Sequence, residues 1–154
     1  MIYQPRPGVT NRRNQLATLP MNPVQKLKSA DACAVLSEAK INITNLRLRT
    51  FIGFNPEEKT KQQDVIVNAE IRYDADAACV SDEADDALNY KVITKRMIKH
   101  IEEGRFHLLE KLTADLVGIA TESPEVTYAE VRVDKSNALR FADSVSVTLC
   151  ASRS

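Results

Sequence analysis

The chain is poor in the residues that build metal centres and disulfide frameworks. Only two histidines occur in 154 residues, His100 and His107, so a three-histidine catalytic zinc site is impossible within one chain. The three cysteines, Cys33, Cys79 and Cys150, are far apart, odd in number and form no CxxC pair. Neither a zinc knuckle nor a disulfide scaffold is suggested, and reduced thiols in a cytoplasmic protein are expected. No apolar run is long enough to cross a bilayer, and the N-terminal stretch lacks the apolar centre of a signal peptide. A basic surface is missing as well. Arg6, Arg12, Arg13, Lys26 and Lys28 all precede Asp31, leaving 16 basic against 21 acidic groups from residue 31 onward, a net of −5. That balance gives no support to a nucleic-acid surface on the folded part.

What is present sorts into a tail and one domain. Residues 1–40 hold four of the six prolines and show no periodicity. They are expected to be a disordered or loosely structured basic extension, with at most a short helix within Lys26–Ala39. Residues 41–150 carry the regular signals. In "INITNLRLRTFIG" Ile41 and Ile43, then Leu46 and Leu48, alternate with polar residues, as in a half-buried strand. Gly53 and "NPEEK" read as a turn, and Val65, Val67, Ala69, Ile71 and Tyr73 mark a second strand, the hairpin partner of the first. The acidic "SDEADDALNY" fits the positive end of a coming helix with Asn89 as its cap. Ile93, Met97 and Ile101 then recur at helical spacing, and Gly104 stops that helix. A second helix is expected from about Phe106 to Thr121, followed by strands in "VTYAEVRVDK" and "ADSVSVTLCA". The order ββααββ implies an α+β fold, an antiparallel sheet with two helices on one face. The other face is expected to need cover from further copies.

One residue of the second helix stands out. Leu109, Leu112, Leu116, Ile119 and Ala120, with Phe106 and Val117, form one apolar arc, and Glu110 falls at its edge in the first turn. A carboxylate there has two readings. It is a rim group satisfied by the helix's free N–H groups, or an acceptor facing a pocket and ready for paired N–H donors of a ligand.

The stretches "NLRLRTFIGF", "DALNYKVITK", "RFHLLEKLT" and "YAEVRVDKSNALRFADSVSVTL" together resemble the dihydroneopterin aldolase and epimerase family, most closely its epimerase branch, over about Ile41 to Leu149. The resemblance implies a tunnelling fold (T-fold) whose units close into a ring barrel, a tetramer that stacks into an octamer, and a small-molecule pterin as substrate. It makes Glu110, the glutamate of "LLE", the anchor of the pterin's amino and ring N–H groups, with Leu109 beside it. It places the turn acid at Glu58, the following glutamine at Gln63, the tyrosine of "LNYKV" at Tyr90 (reaching the site of a neighbouring subunit) and the strand-ending lysine at Lys135. Two positions depart from the aldolase branch. Ile52 stands before Gly53 where that branch has histidine, which favours the epimerase branch, and Ser136 follows Lys135 where it has proline.

The chemistry so implied is a retro-aldol opening between C1′ and C2′ of the side chain, with the reduced ring as electron sink and neither cofactor nor metal required. Lys135, with Glu58 and an ordered water, would move the 2′-hydroxyl proton. Tyr90 would handle proton transfer or hold the cleaved fragment, and Glu110 would fix the ring. An epimerase re-adds the fragment, inverting C2′ of dihydroneopterin triphosphate, whereas an aldolase releases glycolaldehyde. A non-catalytic pterin-binding subunit is the third reading. A triphosphate calls for cations near the pocket mouth, with candidates Lys59, Lys61, Lys91, Arg105, His107 and, foremost, Arg140. No nucleic-acid or membrane partner is expected.

Overall fold

The computed structural model describes residues 20–29 and 34–154. The chain divides into two compact units, Met1–Val35 and Leu36–Ser154. The first unit's described residues hold a short helix, α1 (Pro23–Leu27). The Gln25 N–H donates to Asn22 Oδ1 at 2.8 Å, and the Asn22 N–H donates to Gln25 Oε1 at 2.9 Å. This reciprocal cap starts the helix at Pro23, where a missing N–H is harmless. The helix expected within Lys26–Ala39 is therefore corrected: it begins earlier, and residues 34–38 are irregular. Residues 1–19 and 30–33, which include Arg6, Arg12, Arg13 and Cys33, lie outside the described residues.

The second unit is an α+β domain built on strands β1 (Ala39–Ile52), β2 (Gln63–Tyr73), β3 (Arg105–Phe106), β4 (Val126–Ser136) and β5 (Ser144–Ser152). Their order in the sheet is β3-β1-β2-β4-β5, antiparallel except for the short parallel pair β1–β3. Helices α2 (Asp76–Ser81), α3 (Tyr90–Glu103) and α4 (Leu109–Thr121) complete it. Helices α3 and α4 bury the stripes read from the sequence: Ile93, Met97 and Ile101 on α3, Leu112, Leu116, Val117 and Ala120 on α4. They meet Val65, Val67, Ala69 and Ile71 of β2 and Val131 and Val133 of β4 in one core, each large side chain contributing about 1.5–3 kcal/mol. No helix among the described residues is long and apolar enough to cross a membrane.

The phase break between Ile43 and Leu46 is a bulge in β1. Asn45 there takes φ 52°, and its N–H donates to Asn68 Oδ1 at 2.8 Å. Asn89 caps α3, its Oδ1 accepting the Val92 N–H at 3.2 Å. Three features differ from the expectation. The acidic run does not lead directly into α3. It ends α2 and forms a 3-10 turn at Ala84–Asp86, tied by Ser81 Oγ donating to Asp86 at 2.6 Å. Helix α4 begins at Leu109 rather than Phe106, because Arg105 and Phe106 pair with Phe51 and Ile52. The outer sheet face does not present an apolar surface in need of cover. It carries ion pairs instead, Lys40–Glu70 (3.4 Å), Arg72–Glu70 (2.6 Å) and Arg132–Asp134 (2.7 Å).

Candidate active site

Lys135 closes the inner row of β4 that begins with the buried Val131 and Val133, and it stands opposite Val65 of β2. Alternation along the strand thus carries its ammonium to the rim of the core, with 11% of the side chain exposed. There Lys135 Nζ donates to Glu58 Oε1. Glu58 comes from the turn between β1 and β2, whose backbone is held by its own N–H donating to the Asn55 carbonyl at 3.0 Å. The Asn55 N–H returns a hydrogen bond to Glu58 Oε2 at 3.1 Å. Gln63, first residue of β2, donates its Nε2 to the Ile52 carbonyl at 2.5 Å and closes the base of the same turn.

Gly53 is required here on two counts. Its φ of 126° is open to glycine, and a methyl group on it would overlap the Glu58 carboxylate. The Lys135 hydrogen bond holds the Glu58 carboxyl below its ordinary value of 4.5, against the opposing effect of burial and with help from the Asn55 N–H. The result is a lysine and an ionised carboxylate in contact, largely withdrawn from water. Such a pair can pass a proton to or from a neighbouring hydroxyl.

Beside the pair opens a cleft of about 240 Å³ lined by Phe51, Gly53, Glu58, Lys59, Arg105, Phe106 and His107. A larger hollow between α3 and α4, about 640 Å³, is lined by Arg96, His100, Lys111, Asp115 and Glu122, and neither Lys135 nor Glu58 lines it. Several of its charges are paired with one another, as in Lys111–Asp115 (2.5 Å) and His100–Asp115 (3.0 Å).

The remaining sequence candidates are dispersed. Glu110 lies in the first turn of α4, exposed, and its carboxylate accepts no hydrogen bond among the described residues. Leu108 occupies the cap position and offers no side-chain acceptor, so Glu110 is not serving as the helix cap. Leu109 is half-buried against the core. Tyr90 begins α3, exposed, and its ring and hydroxyl make no hydrogen bond or ring contact among the described residues. Arg140 sits in the loop joining β4 and β5, its guanidinium 5.4 Å from the Phe141 ring centroid. A single chain therefore brings together Lys135, Glu58 and Gln63, and it leaves Glu110, Tyr90 and Arg140 open at its surface. Of the six cations considered for a triphosphate, Lys59, Arg105 and His107 line the cleft. Sequence reasoning missed Phe51 and Phe106 as cleft walls, since both read simply as apolar positions of a strand and a helix.

Residues 41–150 match the sequence family described as FolB, dihydroneopterin aldolase. Over 111 residues the chain is 57% identical to dihydroneopterin triphosphate 2′-epimerase of Escherichia coli strain K12, covering 72% of this chain and 92% of that protein. Among solved structures, a putative dihydroneopterin aldolase of Vibrio cholerae superposes with a TM-score of 0.72 at 30% identity, covering 77% of this chain and 100% of the other. The E. coli dihydroneopterin aldolase in complex with neopterin superposes with a TM-score of 0.70 at 25% identity, covering 73% and 98%.

Proposed function

This chain belongs to the dihydroneopterin aldolase family, and from that premise we propose that it inverts C2′ of 7,8-dihydroneopterin triphosphate to give 7,8-dihydromonapterin triphosphate. The observation that carries the reading is the contrast in likeness within one organism, 57% identity to the epimerase against 26% to the aldolase. The enzyme is thus an isomerase of the T-fold family.

The Lys135–Glu58 pair supplies the proton path. The 2′-hydroxyl gives up its proton through an ordered water held by Lys135 to the Glu58 carboxylate as C2′ becomes an aldehyde. The C1′–C2′ bond breaks, its electron pair forms a C1′–C6 double bond, and the ring nitrogen N5 gains a proton. The aldehyde turns over and offers its other face to C1′; as the C1′–C2′ bond re-forms, N5 gives up the proton it gained, and the same groups return the proton to the 2′-oxygen. Glu110 holds the pterin's amino and ring N–H groups, using a carboxylate that has no hydrogen-bond partner among the described residues. Leu109 borders the ring, Gln63 keeps the turn closed behind Glu58, and Tyr90 enters from a neighbouring copy in a tetrameric ring that stacks into an octamer. That assignment accounts for a tyrosine standing free of its own chain's Lys135 cluster. Residues 41–150 carry the reaction, which belongs in the cytoplasm, where a triphosphate ester is retained.

Chromatography of the products tests the reading. The purified protein is incubated with dihydroneopterin triphosphate and separately with dihydroneopterin, and the products are oxidised and dephosphorylated. Monapterin formed mainly from the triphosphate is the expected result. Dominant 6-hydroxymethylpterin from the unphosphorylated substrate would instead identify an aldolase, and pterin binding without turnover a non-catalytic subunit.

A further inference from the structure

We propose that Arg105 and Lys59 form the seat of the triphosphate and so set the preference for a phosphorylated substrate, an inference that rests on the reading above. The cleft holds one carboxylate, Glu58, and Lys135 already neutralises it. Arg105 and Lys59 are left as uncompensated positive charge on its walls. Several other cations are spent on carboxylates: Arg49 on Asp64 (3.1 Å), Arg72 on Glu70 (2.6 Å), Arg132 on Asp134 (2.7 Å) and Lys111 on Asp115 (2.5 Å).

Arg105 is held in a different way. Its guanidinium lies 3.8 Å from the centroid of the Phe51 ring, and one terminal nitrogen donates to the Lys59 carbonyl at 3.1 Å. An aromatic face and a carbonyl fix the position of a guanidinium without cancelling its charge. The other N–H groups of Arg105 meet no acceptor among the described residues. A cation fixed in this way loses little freedom when a polyanion arrives, and its planar fork suits phosphate oxygens. Lys59 also has no carboxylate partner among the described residues.

Lys59 directly follows Glu58, and Glu58, Lys59 and Arg105 line the same cleft, so the cationic walls and the proton-handling pair share one opening. In the substrate the reacting hydroxyl is on C2′ and the phosphate chain is carried by the oxygen of the adjacent C3′. A 2′-hydroxyl at the Lys135–Glu58 pair therefore directs the phosphates toward Lys59 and Arg105. His107 borders the same cleft. Arg140 is stacked on Phe141 in the β4–β5 loop and is not part of this wall.

The test compares full-length wild type with Arg105→Met, Lys59→Gln and Arg105→Lys, each first checked for wild-type elution on size exclusion. Two quantities are read: the ratio of kcat/KM for dihydroneopterin triphosphate over dihydroneopterin, and the affinity for inorganic tripolyphosphate by titration calorimetry. Arg105→Met should lower both by roughly 10- to 100-fold and Lys59→Gln by about tenfold, in line with the loss of charge-assisted hydrogen bonds. Arg105→Lys keeps the charge but loses the fork and the stack, so it should fall between, and it carries the test if the methionine variant does not assemble. Wild-type values for both quantities in Arg105→Met or Arg105→Lys would overturn the proposal. A wild type that binds tripolyphosphate through Arg105 yet fails to epimerise the triphosphate would refute the proposed reaction and leave the anion seat standing.

Discussion

At the scale of single residues, the free carboxylate of Glu110 and the paired carboxylate of Glu58 make opposite predictions. Glu110 is exposed and makes no hydrogen bond or ion pair among the described residues, so Glu110→Ala should leave the thermal midpoint nearly unchanged. It should weaken pterin binding by about 100-fold or more, the worth of two charged hydrogen bonds; fluorescence titration of pterin beside a melting curve checks both. Glu58 is tied to Lys135, and its folded value lies below the ordinary 4.5. The stabilisation linked to a lowered carboxyl value is complete above the unfolded value and is lost as the pH falls through the folded one. Thermal melts of wild type and Glu58→Gln should therefore differ by a constant amount from pH 7 to pH 5, and that difference should close only below about 4.5. These two residues also mark what a sequence can convey. The position of Glu110 at the edge of an apolar arc was visible from periodicity alone. The contact between Glu58 and Lys135 spans 77 positions, and no local pattern encodes a partner that distant. It was legible through family resemblance alone.

Among elements, strand and helix stripes were read well because a buried face imposes its period on the sequence. The bulge at Asn45 lies between Ile43 and Leu46, where the sequence was read as one alternating strand with no break. Helix α2 and the late start of α4 were not visible, for separate reasons. Short helices bury little, and none of the α2 residues is fully buried, so no stripe announces it. The strand pair of Arg105 and Phe106 with Phe51 and Ile52 is a tertiary choice that overrides an apolar pattern compatible with helix. The joint between β1 and α3 offers a direct test. Thr50 is fully buried, and its hydroxyl donates to the Ile101 carbonyl at 2.6 Å. Thr50→Val removes that donor and should cost about 1–2 kcal/mol in urea unfolding. The turn that follows β1 is equally constrained. Gly53→Ala should cost about 1–3 kcal/mol from backbone strain and should also lower turnover, since the new methyl group displaces Glu58.

For the whole molecule, a site with Lys135, Glu58 and Gln63 on one chain and an unengaged Tyr90 on the same chain predicts complementation between chains. Tyr90→Phe and Lys135→Ala proteins, each inactive alone, should regain activity when they are mixed and reassembled. Sites then form that take an intact tyrosine from one chain and an intact lysine from another. Continued inactivity of the mixture, with assembly verified by native mass spectrometry, would place Tyr90 and Lys135 in the same chain's site. The polar outer sheet face, with its Lys40–Glu70–Arg72 ladder, favours an association that leaves this face wet and buries other surfaces. The exposed Phe54, Leu139 and Phe141 provide apolar material away from the sheet faces.

The contact between Gly53 and Glu58 also bears on the order in which this turn can change over generations. A side chain at position 53 is admitted only after residue 58 has been shortened, and shortening residue 58 dissolves the pair with Lys135. Substitutions at the two positions are therefore coupled rather than additive, with the loss at 58 having to come first. A lineage that has taken that step removes the overlap at position 53 but still meets the backbone strain of its φ of 126°, and once 53 is filled it can recover the long carboxylate only by first reversing the second change. The turn gives up its chemistry in one ordered sequence and regains it only by retracing that sequence.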